Sequence, residues 1–198
     1  MDKTKKNKFK LKQIEALIRT SEYAELLSEL STDIYTESKK AENEASIVSI
    51  FELELFSFIK ETLGLKYYPE KEKTINTERH ISKGRIDSKI GALVIEFKHT
   101  SKLKTTEHKD KASSQLVDYL KGLNDKHNLD YFGIVTDGTQ CKLINIENGI
   151  INEGAFEKLS SKHIDRIIKS IVLLDKVALT PENLVKDFCQ SENSLSNK

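Results

Sequence analysis

An α/β domain, with helices on both faces of a mixed sheet, is what this sequence predicts, and three observations carry the prediction. Apolar residues recur at helical spacing in four separate stretches. Between them lie short segments with strand-like composition or alternation. The order is helix, three strands, helix, two strands, helix, and strands separated by a helical crossover tend to pair in parallel.

Each element has its own signal. Residues 9 to 34 carry Ile14, Leu17, Ile18, Tyr23, Leu26, Leu27 and Leu30 at helical spacing, which predicts one or two short amphipathic helices. The polar patch TESKKAENE follows. Residues 41 to 63, with the dense run ASIVSIFELELFSFI, predict a longer helix that Gly64 stops. Residues 72 to 81 alternate loosely as a first strand. GRIDSKI and ALVIEFK, on either side of Gly91, read as a hairpin. A second long helix is predicted over residues 107 to 123, with Leu116, Tyr119, Leu120 and Leu123 on one face. YFGIVTDG and QCKLINI form two further strands joined at Asp137-Gly138, because glycine tolerates a positive φ. A last helix is predicted over residues 160 to 176. LTPENLVKDFC opens another, with Thr180 as N-cap and Pro181 in the first position. The organisation that results is an amino-terminal helical extension (1–40), a core (41–178) and a carboxy-terminal helix or linker (179–198).

Composition limits the partners. The chain has 198 residues, 32% of them charged, and a formal net charge of only +1, so it is no globally basic nucleic-acid coat. Lysines nevertheless cluster, six within the first twelve residues and then Lys98, Lys102, Lys104, Lys109 and Lys111. Such runs attract phosphate or form plain solvated faces. Cys141 and Cys189, far apart, make neither a zinc knuckle nor a disulfide framework and suit a reducing cytoplasm. No apolar run approaches about 18 residues and none follows the lysine-rich start, so neither a membrane span nor a signal peptide is expected. The five histidines never show metal-ligand spacing, and no phosphate-cradling Gly-rich loop ends in Lys-Ser/Thr.

RIDSKIGALVIEFKHTSK, residues 85 to 102, poses the chemical question. The apolar run Ala92-Leu93-Val94-Ile95 ends on Glu96, passes Phe97 and delivers Lys98. Carboxylate-x-lysine alone is worth little: four such triplets occur, starting at Glu37, Asp87, Glu96 and Glu107. Only the one at Glu96 ends a β-type apolar run and has an acidic residue, Asp87, on the preceding hairpin strand. Residues two apart on a strand share a face, so Glu96 and Lys98 point together and Phe97 points away. Asp87, across the hairpin, can reach the same face. Two carboxylates and a backbone carbonyl suit Mg²⁺. The other reading is a charged hairpin tip with a surface pair worth under about 1 kcal/mol.

The order of elements, with Asp87, Glu96 and Lys98 on a hairpin flanked by helices, resembles the PD-(D/E)XK nuclease superfamily. That resemblance implies a restriction-endonuclease-like three-layer sandwich with a central mixed sheet. It implies Asp87 and Glu96 as Mg²⁺ ligands (Mn²⁺ as a substitute), Lys98 as the water-positioning cation, and a helix glutamate as accessory. Glu44 is the candidate for the last role, with Glu52 and Glu54 as rivals. Ile86 stands where the family has proline. Gln115 and Tyr119 match the Gln-x-x-x-Tyr spacing found in recombination exonucleases. One helical turn apart, they can contact the DNA backbone or brace the lysine strand, or belong to a plain amphipathic helix surface. Lys83 and Arg85 can grip phosphates or belong to a solvated turn. The resemblance covers roughly residues 42 to 176. The expectation is a cytoplasmic, Mg²⁺-dependent hydrolase of DNA, an endonuclease of a restriction system. Methyltransferase or specificity domains of a larger polypeptide are its expected partners. A non-catalytic DNA-binding or protein-interaction module is the alternative, and an RNA-directed nuclease is a weaker third. Alanine at Asp87, Glu96 or Lys98 is expected to abolish cleavage with stability near wild type.

Overall fold

The structure, a computed structural model, describes residues 13–65, 70–74, 85–90, 92–127 and 129–174, with backbone alone for 70–74, 85–88 and 172–174. Lys83, the amino-terminal lysines, Cys189 and the helix expected after Thr180 lie outside these residues. A helical turn over residues 13–17 precedes α1 (Ser21–Ser38), α2 (Glu44–Glu61), β1 (Glu70–Thr74), β2 (Arg85–Ile90) and β3 (Leu93–Phe97). A 3-10 turn (Thr100–Leu103) leads to α3 (Thr106–His127). Then come β4 (Tyr131–Thr136), β5 (Gln140–Glu147), β6 (Ile150–Glu153), β7 (Glu157–Lys158) and α4 (Ser161–Leu174).

The helices start where their caps allow. Thr20 accepts the Tyr23 amide at 3.2 Å to open α1, and Asn43 accepts the Ser46 amide at 2.9 Å to open α2. The helical stretch expected over residues 9 to 34 is a turn at 13–17 followed, after a break at 18–20, by α1. With 18 residues, α1 is longer than the short helix expected. It runs through the first part of the polar patch because Leu27, Leu30, Ser31, Ile34 and Ser38 form a continuous buried stripe.

The strands form one mixed sheet in the order β1-β2-β3-β4-β5-β6, with β7 also beside β5. β3 and β4 pair in parallel because α3 carries the chain back across the sheet, and the other pairs are antiparallel. β6 and β7 go beyond the two strands expected there. The turn into β6 is Asn148-Gly149, with φ of 50° and 77°. Two positive φ values at an Asn-Gly pair are the hairpin chemistry that the dipeptide signals.

Helices cover both faces. On one, α1, α2 and α4 pack Tyr23, Ile34, Phe51, Leu55, Ile164 and Ile168 against Leu93, Ile95 and Phe97. On the other, α3 packs Leu116, Tyr119 and Leu120 against Val94, Val135 and Ile144. α1, expected as part of an extension, thus lies in the same apolar cluster as α2, β3 and α4. Among the described residues no helix is long and apolar enough to cross a membrane.

Candidate active site

All five residues of β3 are buried, and the last but one is a glutamate. Alternation sends Leu93, Ile95 and Phe97 to the α1–α2–α4 side, where Phe97 meets Phe51 edge-on with ring centroids 5.2 Å apart. Val94 faces α3, so Glu96 and Lys98 project toward that layer. Lys98 continues the parallel ladder by donating its backbone N–H to the Thr136 carbonyl at 2.9 Å. Glu96 is wholly buried, and Lys98 keeps 17% of its side chain exposed and donates its ammonium to Glu96 Oε1. An unpaired buried carboxylate would cost several kcal/mol, so the Glu-x-Lys spacing supplies the cation where the carboxylate needs it.

Asp87 is placed by register. Ser88 lies opposite Ile95 and Lys89 opposite Val94. Continuing that ladder by one rung brings Asp87 level with Glu96. Arg85 opens β2 opposite Thr74. Among the described residues no group of three or more His, Cys, Asp or Glu side chains converges to hold a metal, and the side chain of Asp87 is not among those described. The donors this face offers are therefore Glu96 and the position of Asp87.

α3 covers the Glu96 face. Gln115 Nε2 donates to the Tyr119 hydroxyl at 2.8 Å, so the two members of the Gln-x-x-x-Tyr spacing bond to each other one turn apart. Tyr119 is buried among Leu116, Leu120, Val94 and Val135, which makes it a brace between helix and sheet. Gln115 stays half-buried. Glu44 lies elsewhere. It occupies the first turn of α2, half-buried, and the core stripe of that helix is Ile47, Phe51, Leu55 and Ile59. α2 covers the opposite face of the sheet from Glu96 and Lys98, and its half-buried Glu52 and Glu54 share that layer.

The carboxyl end of β4 adds a second buried carboxylate that sequence reasoning missed. Asp137 Oδ1 accepts from the Thr139 amide and hydroxyl, both at 2.8 Å, and from the Gln140 amide at 2.9 Å. Gln140 Nε2 approaches Oδ2 at 3.2 Å. This carboxylate is used up in building the turn, and the Asp-Gly dipeptide was its only signal. The neighbouring Cys141 is buried, which pushes its thiol up to about 12, with Glu157 and Asp137 adding to the shift. Such a shift favours the protonated thiol near neutral pH. His163 is buried with Ser160 Oγ 2.8 Å from Nδ1 and Glu157 3.4 Å from Nε2. A cleft of about 470 Å³, lined by Phe132, Asn145, Arg166 and Lys169, opens at the other end of β4 and is separate from the Glu96–Lys98 pair. Compared with protein-family models, with characterised proteins and with solved structures, the chain finds no match.

Proposed function

We propose that this chain is a metal-dependent deoxyribonuclease domain of the PD-(D/E)XK type, hydrolysing DNA phosphodiester bonds at the carboxyl end of β3. The observation that carries the reading is the Glu96–Lys98 pair: a wholly buried carboxylate and its ammonium on a central strand that is otherwise apolar. Such a pair stabilises a fold less than apolar residues of the same volume commonly would. A chemical task accounts for both charges, as it does for perturbed groups clustered in functional sites. The order of elements and the parallel pairing of β3 with β4 also support the reading.

The donor set suits Mg²⁺, a hard cation that takes one or two protein carboxylates and keeps several waters. Glu96 and Asp87 would hold it. When bound, the ion supplies Lewis-acid polarisation of a phosphodiester oxygen and of the attacking water. Lys98 orients that water and offsets the charge that grows on phosphorus. Tyr119, buried in the cluster with Val94 and Val135, packs the α3 layer on the sheet face that carries Glu96. Glu44, on the other layer, serves at most as an accessory group. Phosphate contacts carry no sequence information, so target choice falls to methyltransferase or specificity regions of a larger restriction polypeptide.

The test is a plasmid digest in Mg²⁺, Mn²⁺, Ca²⁺ and excess EDTA, with fragment ends sequenced and Lys98→Met alongside. Cleavage without a fixed sequence in Mg²⁺ or Mn²⁺ is expected, with none in EDTA and none from the variant. Ca²⁺ supports binding only, because its looser coordination positions water poorly. Full cutting in EDTA overturns the reading. Binding without cutting in every metal replaces it with a non-catalytic DNA-binding module.

A further inference from the structure

We propose that Lys39, Tyr35 and Lys158 form a phosphate clamp that holds the DNA backbone across the end of the sheet where Lys98 emerges. The proposal rests on the nuclease reading for its ligand and on separate residues for its evidence. Lys39, at the end of α1, and Lys158, on β7, come from opposite ends of the chain, yet each ammonium lies 4.6 Å from the centroid of the Tyr35 ring. The two ammoniums therefore lie no more than about 9 Å apart, and an anion that reaches both offsets their like charge. Among the described residues neither ammonium has a carboxylate within ion-pair distance. Glu37 is engaged by Lys40, Glu157 faces His163, and Asp137 is enclosed by its own turn. The hydrogen bond from Lys39 and the charges of both lysines hold the Tyr35 phenol below its ordinary range, against desolvation and the charge of Asp137.

Position links the clamp to the site. Gly138, which follows the β4 end that receives Lys98, touches Ser38, the residue before Lys39. Lys158 pairs with Gln140 on β5, so it lies three strands from Lys98, a span of about 14 Å at the usual strand spacing. Each strand of duplex DNA carries a charge every ~3.4 Å of axis, so one backbone crossing the sheet end can meet both groups. A second cluster extends the line on the α3 side. Phe156, two residues before Lys158, has Lys109 at 5.1 Å and Lys142 at 5.9 Å from its centroid. Lys142 is tied to Glu153 at 2.7 Å, which leaves Lys109 as the cation of that cluster. The stretch from Phe156 to Lys158 therefore carries cations on both helical layers around the end of the sheet.

The experiment measures binding of a fluorescent random-sequence duplex by anisotropy in EDTA, at several salt concentrations. It compares the wild type with Lys39→Gln/Lys158→Gln and with the control Lys60→Gln/Lys126→Gln, which removes the same charge from exposed sites. Each lost phosphate contact lowers the slope of log affinity against log salt by about 0.9. The clamp variant should lose about 1.8 of slope, the control nothing, and Tyr35→Phe should weaken binding with the slope nearly kept. Circular dichroism melts confirm that the variants fold. Equal slopes for clamp and control variants overturn the clamp. So does clamp-dependent binding of polyglutamate in place of DNA, which marks an acidic protein partner. Clamp-dependent DNA binding without cleavage in Mg²⁺ sinks the nuclease reading and leaves the clamp standing. Cleavage with a clamp-indifferent slope does the reverse.

Discussion

Removing the Lys98 ammonium tests whether the buried Glu96 depends on it. The two groups are bonded, Glu96 has no exposure and Lys98 keeps 17%. Taking one partner from a buried pair costs about 3–5 kcal/mol, because the other charge stays in a poorly solvated place. Partial access of water to Lys98 puts the expected loss for Lys98→Met at the lower end, about 3 kcal/mol. Methionine keeps the apolar stem, so the loss reports charge more than packing. Glu96→Gln should cost less, since a lone ammonium at the rim can turn to solvent. The double variant should return close to wild type, with the buried carboxylate gone as well. Other contacts of either residue cancel in the cycle, which isolates the pair. Urea unfolding at pH 7 reads it: with a slope of about 2 kcal/mol/M, Lys98→Met shifts the midpoint by roughly 1.5 M. All three variants should fail to cut DNA, and the double variant should do so while stable. Sequence reasoning expects stability near wild type for each single change, because removing one of a cluster of like charges on a shared strand face should not cost stability. Burial reverses that expectation. A Lys98→Met variant within about 0.5 kcal/mol of wild type would show that the pair behaves as a surface pair.

Gly138→Ala should destabilise the fold by about 2–5 kcal/mol in thermal or urea melts: φ of 78° costs a side chain roughly 1–2 kcal/mol, and overpacking adds a further 1–3. The added Cβ would lie 1.9 Å from Ser38 Oγ, so Ser38→Gly in the same chain should restore the steric share. No recovery would mean that α1 yields freely there. Burial holds the His163 imidazole below its ordinary range, and Glu157 offsets this only in part. The unfolded chain therefore takes up its proton first as pH falls, and stability declines from about pH 6.5 downward. His163→Gln should flatten that part of the profile, measured as urea midpoints between pH 7 and pH 5. Identical slopes in the two proteins would refute the assignment.

Much of the fold is written locally. The 3.6-residue spacing of α2 and α3, the hairpin around Gly91 and the parallel pairing of β3 with β4 are legible because periodicity and a helical crossover constrain the backbone directly. The hairpin into β6 was equally legible in Asn148-Gly149, a local signal that reasoning from apolar runs passes over, since Ile150–Glu153 is mostly exposed. The shared face of Glu96 and Lys98 also follows from alternation alone. Alternation says only that two faces differ; which helix covers which face depends on burial summed over residues far apart in the chain. So only the tertiary structure decided that Glu96 is wholly buried, that α2 carries Glu44 on the layer opposite α3, and that Lys158 joins Lys39 at the Tyr35 ring. The last of these, Lys158 against Tyr35, joins residues more than a hundred positions apart, and no spacing in the sequence encodes it, because a contact between distant segments exists only once both apolar clusters have closed around the sheet.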